Sequence, residues 1–230
     1  MKNNLSELTE TVALETGKSI SDASGEVQGA ILQGEYFAGE GMRLFGQSLN
    51  SGMDGKTSHT VREPHGVAAL IVPANTPIAN IAWKVFPALI CGNTVILKSS
   101  EDAPNTANLF AKLTKKAGLP DGILNVIHGK GEISGAALVA NPQINVISFT
   151  GSTHVGQLIA VEAASRLARV SLELGGKNPF IVCDDADIER AVHWASLSAF
   201  SNAGQRCASG SRIIVFENIY EEFKELFIAK

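Results

Sequence analysis

Cys207 stands in a small, polar, glycine-containing segment, FSNAGQRCASGSR (residues 200–212), between a helical pattern and the strand-like run IIVF. Cysteine is the strong nucleophile among side chains once it is ionised and reachable. Gly204, Gln205 and Ser209 around it offer access and backbone donors. The other two thiols, Cys91 after FPALI and Cys183 at the end of a strand pattern, read as buried and inert. Glu173 is the penultimate residue of the run VSLEL, which two glycines follow. A carboxylate at the end of a buried strand is costly unless paired or used. It either pairs with Lys177 or serves as a general base of raised pKa, the glycines making room for ligands. Asn75 sits between two prolines in VPANTP. There it either caps the next helix or donates its amide N–H to a developing oxyanion, a contact worth about 3–4 kcal/mol.

Three further turns carry residues suited to a dinucleotide. GKGEISG, with Gly129, Gly131 and Gly135, is the dinucleotide fingerprint with one extra residue before the last glycine. In GSTHVG, Gly151 and Gly156 bracket Ser152 and Thr153 at a helix start. Backbone N–H groups and the helix dipole take a pyrophosphate at such a place, and a simple N-cap is the alternative. In KSSE, Lys98 and Glu101 are placed either to hold the two hydroxyls of a ribose or merely to be solvated.

These turns need a scaffold that brings them to one edge. Short β-branched runs at 67–72, 94–98, 124–128, 146–150, 170–174 and 179–183 are separated mostly by helical patterns. Strands alternating with helices predict an α/β fold with a doubly wound, parallel, Rossmann-like sheet, which binds ligands at the carboxyl ends of its strands. Two helices joined at Gly17 and Lys18 precede it. A strand at 179–183, a helix at 187–200, a strand at 212–216 and a final helix follow it. The division expected is 1–174 for the N-terminal helices and dinucleotide-binding domain, and 175–230 for the beginning of a catalytic domain. The chain ends within a helical pattern soon after the Cys207 loop and is expected to be part of a longer protein.

Composition narrows the partners. The chain has 230 residues, 45% of them hydrophobic, and a formal net charge of −4. No basic footprint for nucleic acid and no polybasic arm is visible, so neither nucleic acid nor a membrane surface is expected as a partner. Prolines and polar residues break the most apolar region, 67–97, and no signal-peptide pattern opens the chain. Three scattered cysteines are too few for a disulfide framework or a clustered zinc site, so no metal is expected and a cytoplasmic location fits.

VPANTP, LKSSE, FTGSTHVG, LELGGK and NAGQRC, with the early LETGK, resemble the aldehyde dehydrogenase superfamily in order and approximate spacing. The resemblance runs through essentially the whole chain and covers roughly the middle half of a family member. It implies an NAD-dependent oxidation of an aldehyde to the acid, with NADP less favoured, and a homo-oligomeric parent protein. Cys207 would add to the carbonyl, and Asn75 and the Cys207 N–H would hold the thiohemiacetal oxyanion. Glu173 would activate the water that hydrolyses the thioester, and Lys84 matches a family lysine linked to proton relay. Lys98 and Glu101 would bind the adenosine ribose, Ser152 the pyrophosphate, and Gly129 and Gly131 would line the adenine side. The family's Pro-Trp-Asn reads Pro73, Ala74, Asn75 here, and its Lys-Pro-Ser-Glu reads KSSE. Its Glu-x-Phe-Gly-Pro motif is absent, so this chain alone is expected to bind NAD weakly at most and not to turn over. An inactive cofactor-binding remnant and a coenzyme A-acylating semialdehyde dehydrogenase are the alternatives, the second disfavoured by the retained Glu173.

Overall fold

The computed structural model describes residues 1–230. A helical pair, α1 (Leu5–Thr16) and α2 (Ile20–Glu40), is followed by a short hairpin of β1 (Ser48–Asn50) and β2 (Thr57–His59). Then come β3 (Val67–Ile71), α3 (Pro77–Ile90), β4 (Thr94–Lys98), α4 (Pro104–Lys116), β5 (Leu124–Ile127), α5 (Ala136–Ala140), β6 (Val146–Gly151), α6 (Thr153–Ala164) and β7 (Arg169–Leu174). The chain continues through β8 (Asn178–Val182), α7 (Ile188–Phe200), β9 (Gly210–Val215) and α8 (Tyr220–Ala229).

Strands β3 to β7 form one parallel sheet in the order β5-β4-β3-β6-β7, the α/β arrangement expected from the alternating patterns. The central strand β3 shows why helices must cover both faces. Ala68, Leu70 and Val72 enter a core with Leu8 and Val12 of α1, Val27 of α2, Ile81 of α3 and Phe110 of α4. Ala69 and Ile71 face the other way, against Leu138 and Val139 of α5 and Ile159 of α6. A strand buried on both faces reads as a continuous apolar run, as VAALIV does. A third core, around Val182, Val192, Ala195, Ile219 and Phe223, joins the parallel pair β8–β9 to α7 and α8.

Two local features depart from the sequence pattern. The β1–β2 hairpin lacks apolar alternation because all six of its strand residues are exposed. Gly55, at φ +75°, supplies the left-handed residue of its turn. The extra residue of GKGEISG falls in a π-helical turn over 131–135 that leads into α5. An i→i+5 turn is the local geometry that absorbs one inserted residue. No helix is long and apolar enough to cross a membrane.

Candidate active site

The loop of Cys207 leaves α7 through three consecutive left-handed residues, Asn202 (φ 58°), Ala203 (φ 56°) and Gly204 (φ 72°). Left-handed geometry costs a non-glycine residue about 1–2 kcal/mol, so this stretch persists only because its surroundings fix it. Asn202 is 2% exposed. Its side-chain amide donates to the carbonyls of Asn75 (3.2 Å) and Gln205 (3.0 Å). Asn75 Nδ2 donates to the same Gln205 carbonyl at 2.8 Å, which joins the turn after β3 to the segment two residues before Cys207. Asn75 is not the helix cap: Thr76 takes that position in α3, and the first turn begins at Pro77. On the far side of the loop, Asn178 Nδ2 donates to the Cys207 carbonyl at 2.5 Å. Cys207 itself is exposed.

Glu173 differs from the sequence expectation. Strand β7 is an edge of the sheet, paired only with β6, and Glu173 is exposed. The burial expected at the end of this strand is therefore absent. Nor does Glu173 form an ion pair with Lys177. The buried charge lies beneath it. Lys84, 7% exposed on α3, donates from Nζ to Ser148 Oγ on β6 at 2.7 Å. Burial lowers its pKa from 10.5 to about 8, and the Glu173 carboxylate opposes that shift. Ser148 and Thr150 register with Ser171 and Glu173 on the neighbouring strand, so the lysine and the carboxylate share one side of the sheet end.

The Lys84 shift has a signed consequence for stability. Below about pH 8 both folded and unfolded chains carry the proton, and the folded state bears the full burial penalty. Between about 8 and 10.5 the unfolded chain keeps a proton that the folded chain has shed, so stability rises with pH in that window. Lys84→Met is expected to stabilise the fold at neutral pH, and this advantage should shrink by about 3 kcal/mol by the top of the window. Urea unfolding of both proteins across that range tests it; a difference independent of pH would contradict the assignment.

At the carboxyl ends of β4 and β5, Lys98 (3% exposed) and Glu101 (50% exposed) form an ion pair at 3.1 Å. Glu101's own backbone N–H and the Lys98 ammonium hold its carboxyl below the usual range, with a smaller contribution from the Gly131 backbone. Lys98, Glu101 and Gly131 thus meet at one corner. Gly129 has φ +127°, and a Cβ there would stand 2.9 Å from Ser134 Oγ, so glycine is required for both conformation and space. A Cβ on Gly131 would meet nothing within 4 Å, leaving its face open for a ligand. Ser152 is exposed and caps α6, accepting from the Val155 N–H at 3.3 Å. One contact was not legible in the sequence. His128 shares a hydrogen bond with Ser99 Oγ at Nδ1 (2.7 Å) and another with Asn108 Oδ1 at Nε2 (2.9 Å), bracing this corner.

Cys91 and Cys183 are exposed, not buried. Cys91 follows the last residue of α3 in a two-residue turn, and Cys183 lies just past the end of β8, so neither is inside an element that would cover it. Exposure therefore does not distinguish the three thiols; only Cys207 is framed by a tied loop. Arg206 and Ala208, which flank it, line an open pocket of about 400 Å3 with Phe180, Trp194, Leu197 and Ser201.

The model of the aldehyde dehydrogenase family matches residues 1–230. The chain belongs to this family. Among its relatives, retinaldehyde dehydrogenase 3 of Mus musculus is 47% identical over 213 residues, covering 91% of this chain and 41% of that protein. Betaine aldehyde dehydrogenase of Staphylococcus aureus, solved in complex with NAD+, superposes with a TM-score of 0.96 at 35% identity, over 99% of this chain and 45% of that one. An NADP-dependent enzyme of E. coli superposes with a TM-score of 0.95 at 38% identity, over 99% and 47%. The chain thus spans less than half the length of these family members. Asn202, Gln205 and Asn178, which tie the loop of this aldehyde dehydrogenase chain, carry no signal of that role in a single sequence. Asn75 and Gln205 are 130 positions apart, and only folding shows that they meet.

Proposed function

We propose that this chain carries the nucleophile, the oxyanion donors and the adenosine-binding turns of an NAD-dependent aldehyde dehydrogenase. The observation that carries the reading is the Asn75 Nδ2 bond to Gln205, which holds an amide donor from the β3–α3 turn at the loop of Cys207. That bond uses one amide hydrogen and leaves the second for a ligand. Cys207 Sγ forms a bond to the aldehyde carbon, and the carbonyl oxygen becomes an oxyanion held by Asn75 Nδ2 and the Cys207 N–H. NAD, when bound, accepts the hydride as the adduct becomes a thioester. Glu173 then takes a proton from water, the hydroxyl adds to the thioester, and the acid leaves as the Cys207 thiolate is released. Its exposure on an edge strand gives Glu173 access to water. Lys84, whose burial lowers its pKa to about 8, feels the Glu173 charge and would exchange a proton with it.

For the cofactor, the ion-paired corner of Lys98 and Glu101 suits the two ribose hydroxyls, Gly129 and Gly131 the adenine side, and Ser152 at the start of α6 the pyrophosphate. Residues 1–174 form the cofactor unit in this reading, and 175–230 begin the catalytic unit. The covalent half-reactions need only residues present here. Sustained turnover needs a nicotinamide anchor as well and is not expected of these residues alone. The free thiols fit the reducing cytoplasm.

Asn75→Ala is expected to slow acetylation of Cys207 by p-nitrophenyl acetate by about 10²–10³-fold, the usual cost of removing one oxyanion donor. Alkylation of Cys207 by iodoacetamide, which forms no oxyanion, should stay unchanged. Equal slowing of both, read by peptide mass spectrometry, would remove the oxyanion role. Glu101 accepts from ribose hydroxyls and repels a 2′-phosphate. Calorimetry should find NAD bound at least about tenfold tighter than NADP, with Glu101→Gln narrowing the ratio; equal affinities in the unaltered chain would count against it.

A further inference from the structure

The early segment LETGK has no part in the chemistry described so far, yet its lysine reaches the active site. Lys18 and Glu26 form an ion pair at 2.5 Å with side chains 0% and 5% exposed. A buried pair of this kind contributes little net stability compared with well-packed apolar residues, so its reason must lie in what else the two groups hold. Lys18 Nζ donates to the Asn75 carbonyl at 2.7 Å. The second oxygen of Glu26 accepts from the Ala79 N–H at 3.1 Å. Helix α3 has no side-chain cap of its own and no acidic residue in its first turn. Glu26 therefore satisfies one of its orphaned N–H groups from a different helix. The pair grips residues 75–79 at both ends, by the carbonyl of the first and the amide of the last.

The same segment also holds the nucleophile loop. The Thr16 carbonyl accepts from Gln205 Nε2 at 3.0 Å, and Asp22 Oδ2 accepts from the Asn202 N–H at 3.2 Å. Residues 16–26 thus touch the two partners that meet at the Gln205 carbonyl, and they bear on the left-handed stretch that carries strain.

We infer that Lys18 and Glu26 are positioning residues: they fix the Asn75 amide relative to Cys207 so that it meets an oxyanion forming there. This rests on the reading of Asn75 and Cys207 given above. A displacement of about 1 Å in such a donor costs on the order of 10²-fold in rate. Positioning therefore predicts a defect confined to reactions that pass through an oxyanion.

The test compares two reactions at Cys207 in the 230-residue chain, with Cys91 and Cys183 as internal references on separate peptides. Acetylation by p-nitrophenyl acetate passes through a tetrahedral oxyanion, whereas alkylation by iodoacetamide does not. Lys18→Met should lower acetylation about 10–100-fold with alkylation within about twofold, and Lys18→Arg should restore part of the loss. Because Lys18→Met strands a buried carboxylate, the double variant Lys18→Met/Glu26→Leu replaces both charges with apolar side chains and should remain folded by circular dichroism. It should show the same selective defect. Unchanged acetylation in the folded double variant, a parallel fall in both reactions, or loss of its fold would each overturn the inference. If Cys207 of the unaltered chain is acetylated no faster than Cys91 and Cys183, the catalytic reading fails first and the inference falls with it.

Discussion

Cys207→Ser is expected to lower acetylation at position 207 by roughly 10³-fold or more, to the level of a residue with no acyl-transfer role. A serine hydroxyl offers far less ionised nucleophile near neutral pH than a thiol does, and no histidine base is placed beside it in the tied loop. Nucleotide affinity should survive, because Lys98, Glu101, Gly129, Gly131 and Ser152 belong to the five-stranded sheet and its turns, away from the substituted loop. Acetylation kinetics and NAD calorimetry on the same preparation separate the two effects. Near-normal acetylation of the serine variant would reject the covalent mechanism, and loss of both properties would indicate damage to the fold.

Much of this architecture is legible in the sequence, for a physical reason. A strand buried on both faces must be apolar throughout, so VAALIV announces itself, and the helices between the strands show one apolar side. The edge strand is harder. VSLEL looks like its neighbours, but β7 has a partner on one side only, and Glu173 is exposed where a buried strand was expected. Whether a strand is central or an edge depends on sheet order, which no local pattern encodes. The same limit applies to the thiols. Cys91 and Cys183 adjoin apolar runs, yet each lies just beyond the end of its element and is exposed. Local chemistry picked out Cys207 and Asn75 one at a time; their meeting through Gln205 is a property of the folded chain.

Glu173→Gln should separate the two halves of the acyl cycle. An amide cannot take a proton from water, so hydrolysis of the Cys207 thioester should slow by about 10²–10⁴-fold, the usual contribution of a general base. Formation of the thioester does not need that base if the thiol ionises independently, and its rate should change far less. The acetyl group would then accumulate on Cys207 after a rapid burst of p-nitrophenol. Intact-protein mass spectrometry follows its lifetime directly. An unchanged lifetime in the variant would exclude Glu173 as the base.

In the proposed mechanism Cys207 adds to an aldehyde carbonyl at a site prepared for the resulting oxyanion. Carbon NMR of the chain mixed with an aldehyde labelled with 13C at its carbonyl carbon observes that bond without cofactor. One new tetrahedral-carbon resonance is expected, saturating at one equivalent per chain, retained in Cys91→Ser/Cys183→Ser and absent in Cys207→Ser. No such resonance from the unaltered chain at saturating aldehyde, or its persistence in Cys207→Ser, would rule out Cys207 as the group that adds to the carbonyl.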